Sequence, residues 1–150
     1  MIYCGVDPGF SGAWGMIDHH GDYWSCGDMI HNGDHLLSRD IIAEMKQAIE
    51  RQDVEFILEA VHAMPKQGVS STFKFGMAFG SAITIIERFS KVVHMVTPQQ
   101  WKKDMGLTSN KADSMAVARE LWPLAPLHRQ KDNGRAEALL LAEWYRRQND

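Results

Sequence analysis

Three acidic residues stand where a charge is hard to accommodate: Asp7, Glu59 and Glu137. Asp7 ends Ile2-Tyr3-Cys4-Gly5-Val6-Asp7, in which Ile2, Cys4 and Val6 alternate with Tyr3, Gly5 and Asp7 at the period of a strand. Pro8, Gly9 and Gly12 break the pattern directly after it, so this carboxylate falls at the C-terminal rim of a sheet. Glu59 follows Phe56-Ile57-Leu58 near the end of another apolar run. Glu137 lies in Gly134-Arg135-Ala136-Glu137-Ala138-Leu139-Leu140-Leu141-Ala142, and Leu140, Leu141 and Trp144 share its helical face. An unpaired charge among apolar neighbours is unfavourable. Two adjacent carboxylates raise one another's pKa unless a cation lies between them. Hard oxygen ligands of this kind suit Mg²⁺ or Mn²⁺, and a pair of such ions can activate water and stabilise the leaving oxygen of a phosphodiester. Asp132 and Asn133, just before the last helix, are either further oxygen donors or simple N-caps. The three acids have plainer readings too. Asp7 could bond its own turn backbone, Glu59 could face solvent at the rim, and a rotated helix would expose Glu137 with Arg135.

The elements that must position these acids can be taken in order. Strands are predicted over residues 2–7, 12–18 and 23–30, the second and third joined by the turn His19-His20-Gly21-Asp22. Ser38 is placed to cap a helix from Arg39 to Arg51, with Ile41, Ile42, Met45, Ala48 and Ile49 on one face. A fourth strand, Val54 to Val61, is apolar enough to be covered on both sides. A long helix, Ser70 or Ser71 to Phe89, is apolar nearly all round. A fifth strand runs from Lys91 to Val96, and Thr97-Pro98-Gln99-Gln100 fits a capping box with Pro at the first helical position. Asn110 caps a further helix that ends at Trp122-Pro123, and Asp132 or Asn133 caps the last one, to Arg147. Three meandering strands followed by helical crossovers give a mixed α/β sheet of five strands, its later strands parallel to the first, with helices on both faces. If strands one and four are parallel neighbours, Asp7 and Glu59 end side by side.

Composition bounds the classes. The chain of 150 residues is 45% apolar, which is enough for one domain, 1–150, with a real core. The longest nearly apolar run, Met77 to Ile86, is too short to span a bilayer, and no basic region precedes an apolar run at the N-terminus. Cys4 and Cys26 lack metal-type spacing and read as reduced thiols of a cytoplasmic protein. A net charge of −3 argues against a generic nucleic-acid binder, although two bound divalent cations would reverse its sign. None of the seven histidines has zinc-ligand spacing.

Gly5-Val6-Asp7-Pro8-Gly9, Leu58-Glu59-Ala60-Val61 and Gly134-Arg135-Ala136-Glu137-Ala138-Leu139, in this order, resemble the RuvC Holliday-junction resolvases, and most of all their bacteriophage-type branch. The resemblance covers nearly the whole chain. It implies an RNase H-like fold and a metal-dependent endonuclease that cuts branched DNA, such as four-way junctions, by paired incisions. It carries the roles of metal ligand and catalytic acid to Asp7, Glu59 and Glu137. Bacterial members place an Asp three residues before the last acid, where this chain has Gly134; Asp132 is the nearest carboxylate and takes the fourth position. His62 stands where bacterial members carry an aromatic residue that stacks in the open junction. Pro98 to Lys111 is similar to their basic DNA-contacting segment, which assigns Lys102, Lys103 and Lys111 to phosphate, with His62 and Arg135 on the same DNA surface. Ser70 to Gly80 is similar to the helix through which they dimerise.

That helix also carries its own argument. Gly76 and Gly80 lie on one face, flanked by Phe73 and Met77, and let a second helix approach. A helix with so few charges would otherwise expose a large apolar patch, and a two-fold homodimer buries it. Rival functions are a sugar-kinase or actin-like ATPase, which shares the first strand pair but needs two lobes; an RNase H acting on RNA–DNA hybrids, or a broader flap and branch nuclease; and a module that holds branched DNA without cutting it.

Overall fold

The computed structural model describes residues 1–150. Its elements are β1 (Ile2–Asp7), β2 (Ala13–Asp18), β3 (Tyr23–Asp28), α1 (Ser38–Ile49), β4 (Val54–Glu59), α2 (Val69–Glu87), β5 (Val93–Val96), α3 (Pro98–Asp104), α4 (Lys111–Leu121), a 3₁₀ turn (Gln130–Asp132) and α5 (Asn133–Asn149). The five strands form one sheet in the order β3-β2-β1-β4-β5. β1 pairs antiparallel with β2 and parallel with β4, β2 pairs antiparallel with β3, and β4 pairs parallel with β5. This is the mixed sheet expected from the order of the elements.

Strand periodicity divides the core into two layers. Cys4, Val6, Phe56 and Leu58 point to one face and pack with Ile41, Met45, Ala78, Ala82, Ile85 and Ile86 of α1 and α2. Ile17 and Ile57 point to the other and pack with Trp101, Met115, Ala118, Leu139, Leu140 and Leu141 of α3, α4 and α5. By length and mean hydropathy α2 would also pass for a membrane span. Its Ala78, Ala82, Ile85 and Ile86 are instead committed to this core.

The boundaries differ from the sequence expectation where side chains found other partners. Ser38 is the first residue of α1 and does not cap it; Leu37 holds the cap position without a side-chain bond. β4 stops at Glu59 and β5 is only four residues long, because the chain beyond Val96 must turn into α3. The capping box at Thr97 is half formed. Thr97 Oγ1 accepts from Gln100 N at 3.3 Å, but the Gln100 amide turns to Asp104 at 2.9 and 3.0 Å. Asn110 caps α4 as expected, accepting from Ala112 N at 3.0 Å.

α5 lies across β1 and β2 on two glycines. Gly5 and Gly15 are cross-strand partners. A Cβ on Gly5 would fall 2.0 Å from the Ala138 carbonyl oxygen, and one on Gly15 would fall 2.8 Å from the Leu139 amide nitrogen. The helix backbone therefore rests almost directly on the strand backbones. Because the obstacle is backbone on a buried helix, it cannot swing aside as a side chain would. Gly5→Ala is expected to destabilise by more than about 3 kcal/mol, if it folds at all, because overpacking is relieved here only by lifting a whole helix. Chemical denaturation checks this, and a variant within about 1 kcal/mol of the parent contradicts the close seating.

Candidate active site

The register of β1 and β4 sets the first two acids. Val6 is opposite Leu58, so Asp7 and Glu59 leave the sheet at adjacent parallel strand ends. The third is set by α5, whose Ala138 carbonyl sits against Gly5; Glu137, one residue earlier, is thereby carried toward the same rim. Glu59 and Glu137 are only 7% and 6% exposed. Asp7 keeps a solvent-facing edge but is enclosed on its other sides. The turn after Asp7 is tight: Gly9 has φ 125°, a conformation that favours glycine, and its carbonyl accepts from Gly12 N at 3.2 Å.

These carboxylates act on one another. Burial, and then the charges of Glu59 and Glu137, hold the Asp7 carboxyl well above the usual aspartate range, opposed by Lys111 and Lys102. The Glu59 carboxyl is also raised, chiefly by burial. A hydrogen bond from the Trp101 indole works against that rise, with Nε1–H donating to Oε2 at 2.8 Å. Lys102 Nζ lies 2.9 Å from Glu137 Oε1. The approach is misaligned for a hydrogen bond and leaves Oε1 buried without a donor, so the pair is one of charge with charge.

As they stand, no three His, Cys, Asp or Glu side chains converge closely enough to cage an ion. The donors nevertheless fit a divalent cation. All three are hard carboxylate oxygens, two have raised pKa values that a cation would relieve, and Glu137 Oε1 lacks an aligned partner. The Lys102 ammonium supplies positive charge at that position.

Asp132, assigned as the fourth ligand, is engaged by Arg129. Its carboxylate accepts from Arg129 at the backbone N (2.9 Å), Nε (3.1 Å) and Nη2 (2.7 Å). Burial pushes its pKa up, but these bonds and the Arg135 charge hold it below the ordinary value. It ties down the entry to α5. Nor could residue 134 supply the missing acid, since a Cβ there would fall 2.7 Å from the Ser11 carbonyl oxygen. Arg135, assigned as a DNA contact, has partners within the chain. Its guanidinium holds Asp28 through two bonds, at 2.8 and 3.1 Å, and donates to the Pro126 carbonyl at 3.2 Å.

Lys103 and Lys111 are exposed, on α3 and at the start of α4, and His62 is exposed in the loop after β4. On α2, Val69 is 89% and Phe73 is 69% exposed. Gly76 and Gly80 are also exposed, with open space beside them, and Met77 is half-buried. Sequence reasoning missed Trp101, which is fully buried. The available signal was its spacing of four from Met105, which marks an inward stripe on a segment otherwise read as basic surface.

The raised carboxyls have a definite sign in stability. An acid whose folded pKa exceeds its unfolded one adds no penalty below the unfolded value, and an increasing penalty as pH rises toward the folded one. Asp7→Asn should therefore match the parent in thermal stability below Asp7's ordinary pKa of 3.8 and become the more stable of the two as pH rises above it, in chelator. Thermal melts across that range test this. A variant less stable than the parent at neutral pH would mean that the Asp7 charge is satisfied within the metal-free protein.

No family model matches the chain. A stretch of 91 residues is 33% identical to the chloroplastic Holliday junction resolvase MOC1 of Chlamydomonas reinhardtii; it covers 58% of this chain and 10% of that protein. The chain thus spans about a tenth of the curated relative it matches. Two solved structures align over 99% of the chain with a TM-score of 0.70: Thermus thermophilus RuvC in complex with a Holliday junction substrate, at 18% identity and 96% of that chain, and Thermus thermophilus RuvC alone, at 16% identity and 97% of that chain. With the sheet order β3-β2-β1-β4-β5 and α5 laid across β1 and β2, the chain has the RNase H-like fold of RuvC.

Proposed function

We propose that this chain is a divalent-metal-dependent endonuclease that resolves four-way junctions and related branched DNA, acting as a two-fold homodimer. The observation that carries the reading is the gathering of Asp7, Glu59 and Glu137 at one rim, where burial and mutual repulsion raise the first two. A fold that needed these positions only for packing would fill them with apolar groups. The relative named as a Holliday junction resolvase and the RuvC solved with a junction support the substrate class.

Asp7, Glu59 and Glu137 would hold Mg²⁺ or Mn²⁺, which when bound supplies a water of lowered pKa and positive charge for the leaving oxygen. The protein's own part is position and charge. Parallel strand ends fix Asp7 and Glu59, and α5 brings Glu137 across them. Lys102, which pairs with Glu137 at 2.9 Å, would offer its charge to a backbone phosphate if that carboxylate held the ion. Lys103 and Lys111 extend the positive surface along α3 and α4. In the hydrolysis, water oxygen adds to phosphorus and one P–O ester bond breaks, leaving a phosphate monoester and a hydroxyl. His62, exposed in the loop after β4, is a further candidate DNA contact. Unpaired thiols at Cys4 and Cys26 suit a reducing, cytoplasmic setting.

Cleavage of four-way, flap and RNA–DNA hybrid substrates in Mg²⁺ tests the reading. Paired nicks at the four-way junction are expected. Asp7→Asn should lose at least about a hundredfold in rate while still retarding the junction in a gel. Normal turnover by Asp7→Asn, or cleavage confined to the hybrid, would overturn it.

The dimer rests on α2. Val69, Phe73, Gly76, Gly80 and Thr84 make an exposed, uncharged row, and the two glycines allow a second helix to come close. Pairing two copies here would hold two sites at a fixed separation, as opposed incisions require. Gly80→Leu has room in the isolated chain, so it should fold normally yet shift sedimentation equilibrium at micromolar concentration toward monomer. A parent that is monomeric with and without Mg²⁺, or a Gly80→Leu variant that stays dimeric, excludes this face.

A further inference from the structure

We propose that Trp101 is a positioning residue that sets Glu59 as a one-oxygen metal ligand; this rests on the metal-dependent reading of the site. Trp101 is 0% exposed, and its indole Nε1–H donates to Glu59 Oε2 at 2.8 Å across 42 residues of sequence. The ring is buried in the apolar layer that also holds Ile57, Val96, Leu140 and Leu141, so the donor has little freedom to follow a carboxylate that rotates. Its N–H takes one oxygen of Glu59 and leaves the other for the ion. Hydrogen bonds of this kind orient ligating carboxylates, and their loss weakens metal binding.

The other indoles do nothing similar. Trp24 donates to the Ala48 carbonyl, Trp122 to the Gly21 carbonyl, Trp144 to Asp104 outside the site, and Trp14 Nε1 has no partner. Among the indoles, Trp101 alone places its N–H on one of the three rim acids. Lys102 lies 5.5 Å from the same ring while it pairs with Glu137, so α3 carries groups against two of those acids. A side chain needed only for packing would not require a donor there, since phenylalanine fills most of the same volume.

The experiment compares the parent with Trp101→Phe, Trp122→Phe and Glu59→Gln, all as the full chain, by calorimetric titration with Mn²⁺. Trp101→Phe is expected to bind Mn²⁺ about tenfold more weakly. Trp122→Phe, which loses an indole donor from the same core layer, should bind as the parent does. Unchanged Mn²⁺ affinity in a folded Trp101→Phe overturns the proposal, as does an equal loss in Trp122→Phe. A second measurement on the parent serves if Trp101→Phe does not fold. Of the five indole N–H resonances, one should move on adding Mg²⁺, and the same one should move in metal-free Glu59→Gln. If no indole resonance responds to both, the proposal fails. A parent that binds no Mn²⁺ and matches Glu59→Gln removes the metal site itself, which separates failure of the underlying reading from failure of the role given to Trp101.

Discussion

The seating of α5 on Gly5 and Gly15 is the constraint on which the rest depends. With two hydrogen atoms in place of side chains, the helix backbone reaches the strand backbones. That closeness brings Glu137 to the rim where Asp7 and Glu59 end. A larger residue at either glycine would lift the helix, and the third acid would move away from the other two. The layer it closes, with Ile57, Leu139, Leu140 and Leu141 at its centre, also encloses Trp101. The same contact thus builds half of the core and assembles the acids, so packing and chemistry cannot be altered separately there.

Around that seat, charge is arranged in two opposite ways. At the rim, acids face one another with too little compensation, and burial keeps the pKa values of Asp7 and Glu59 high. At the entry to α5, acids and cations match: Arg129 holds Asp132, and Arg135 holds Asp28 with a planar two-bond grip. The first group lacks compensating charge; the second is matched within the chain. Asp132 and Asp7 are both aspartates next to a turn, yet the pKa of one is lowered by its partners and that of the other is raised by burial and its acidic neighbours.

Much of this was legible in the sequence. Period-two alternation through Val6 gave β1, apolar density gave β4, and the crossovers fixed their parallel pairing. From that pairing comes the meeting of Asp7 and Glu59. The face shared by Glu137, Leu140 and Leu141 gave its inward direction. The open row of Phe73, Gly76 and Gly80 on α2 also came from helical spacing. What was not legible depended on partners chosen in space. Asp132 looked like a spare ligand because nothing in the order of residues says that Arg129 folds back on it. Arg135 looked free because Asp28 is 107 positions away. Thr97 looked like one half of a full capping box because the preference of Gln100 for Asp104 is a competition among local bonds. Trp101 was overlooked because burial of one indole among lysines and glutamines is decided by the helix that lands on it.

The three acids come from the first strand, the middle of the chain and the final helix. During synthesis the amino-terminal strands emerge and collapse early, but their rim then holds only two carboxylates. α5 is made last, and until it docks on Gly5 and Gly15 the centre has neither its third acid nor one wall of its enclosure. A ribosome-bound fragment, or a chain clipped before residue 134, therefore cannot display the acidic centre however well its sheet has formed. The sheet can thus be complete while the rim is still one acid short, and only the docking of α5 closes it.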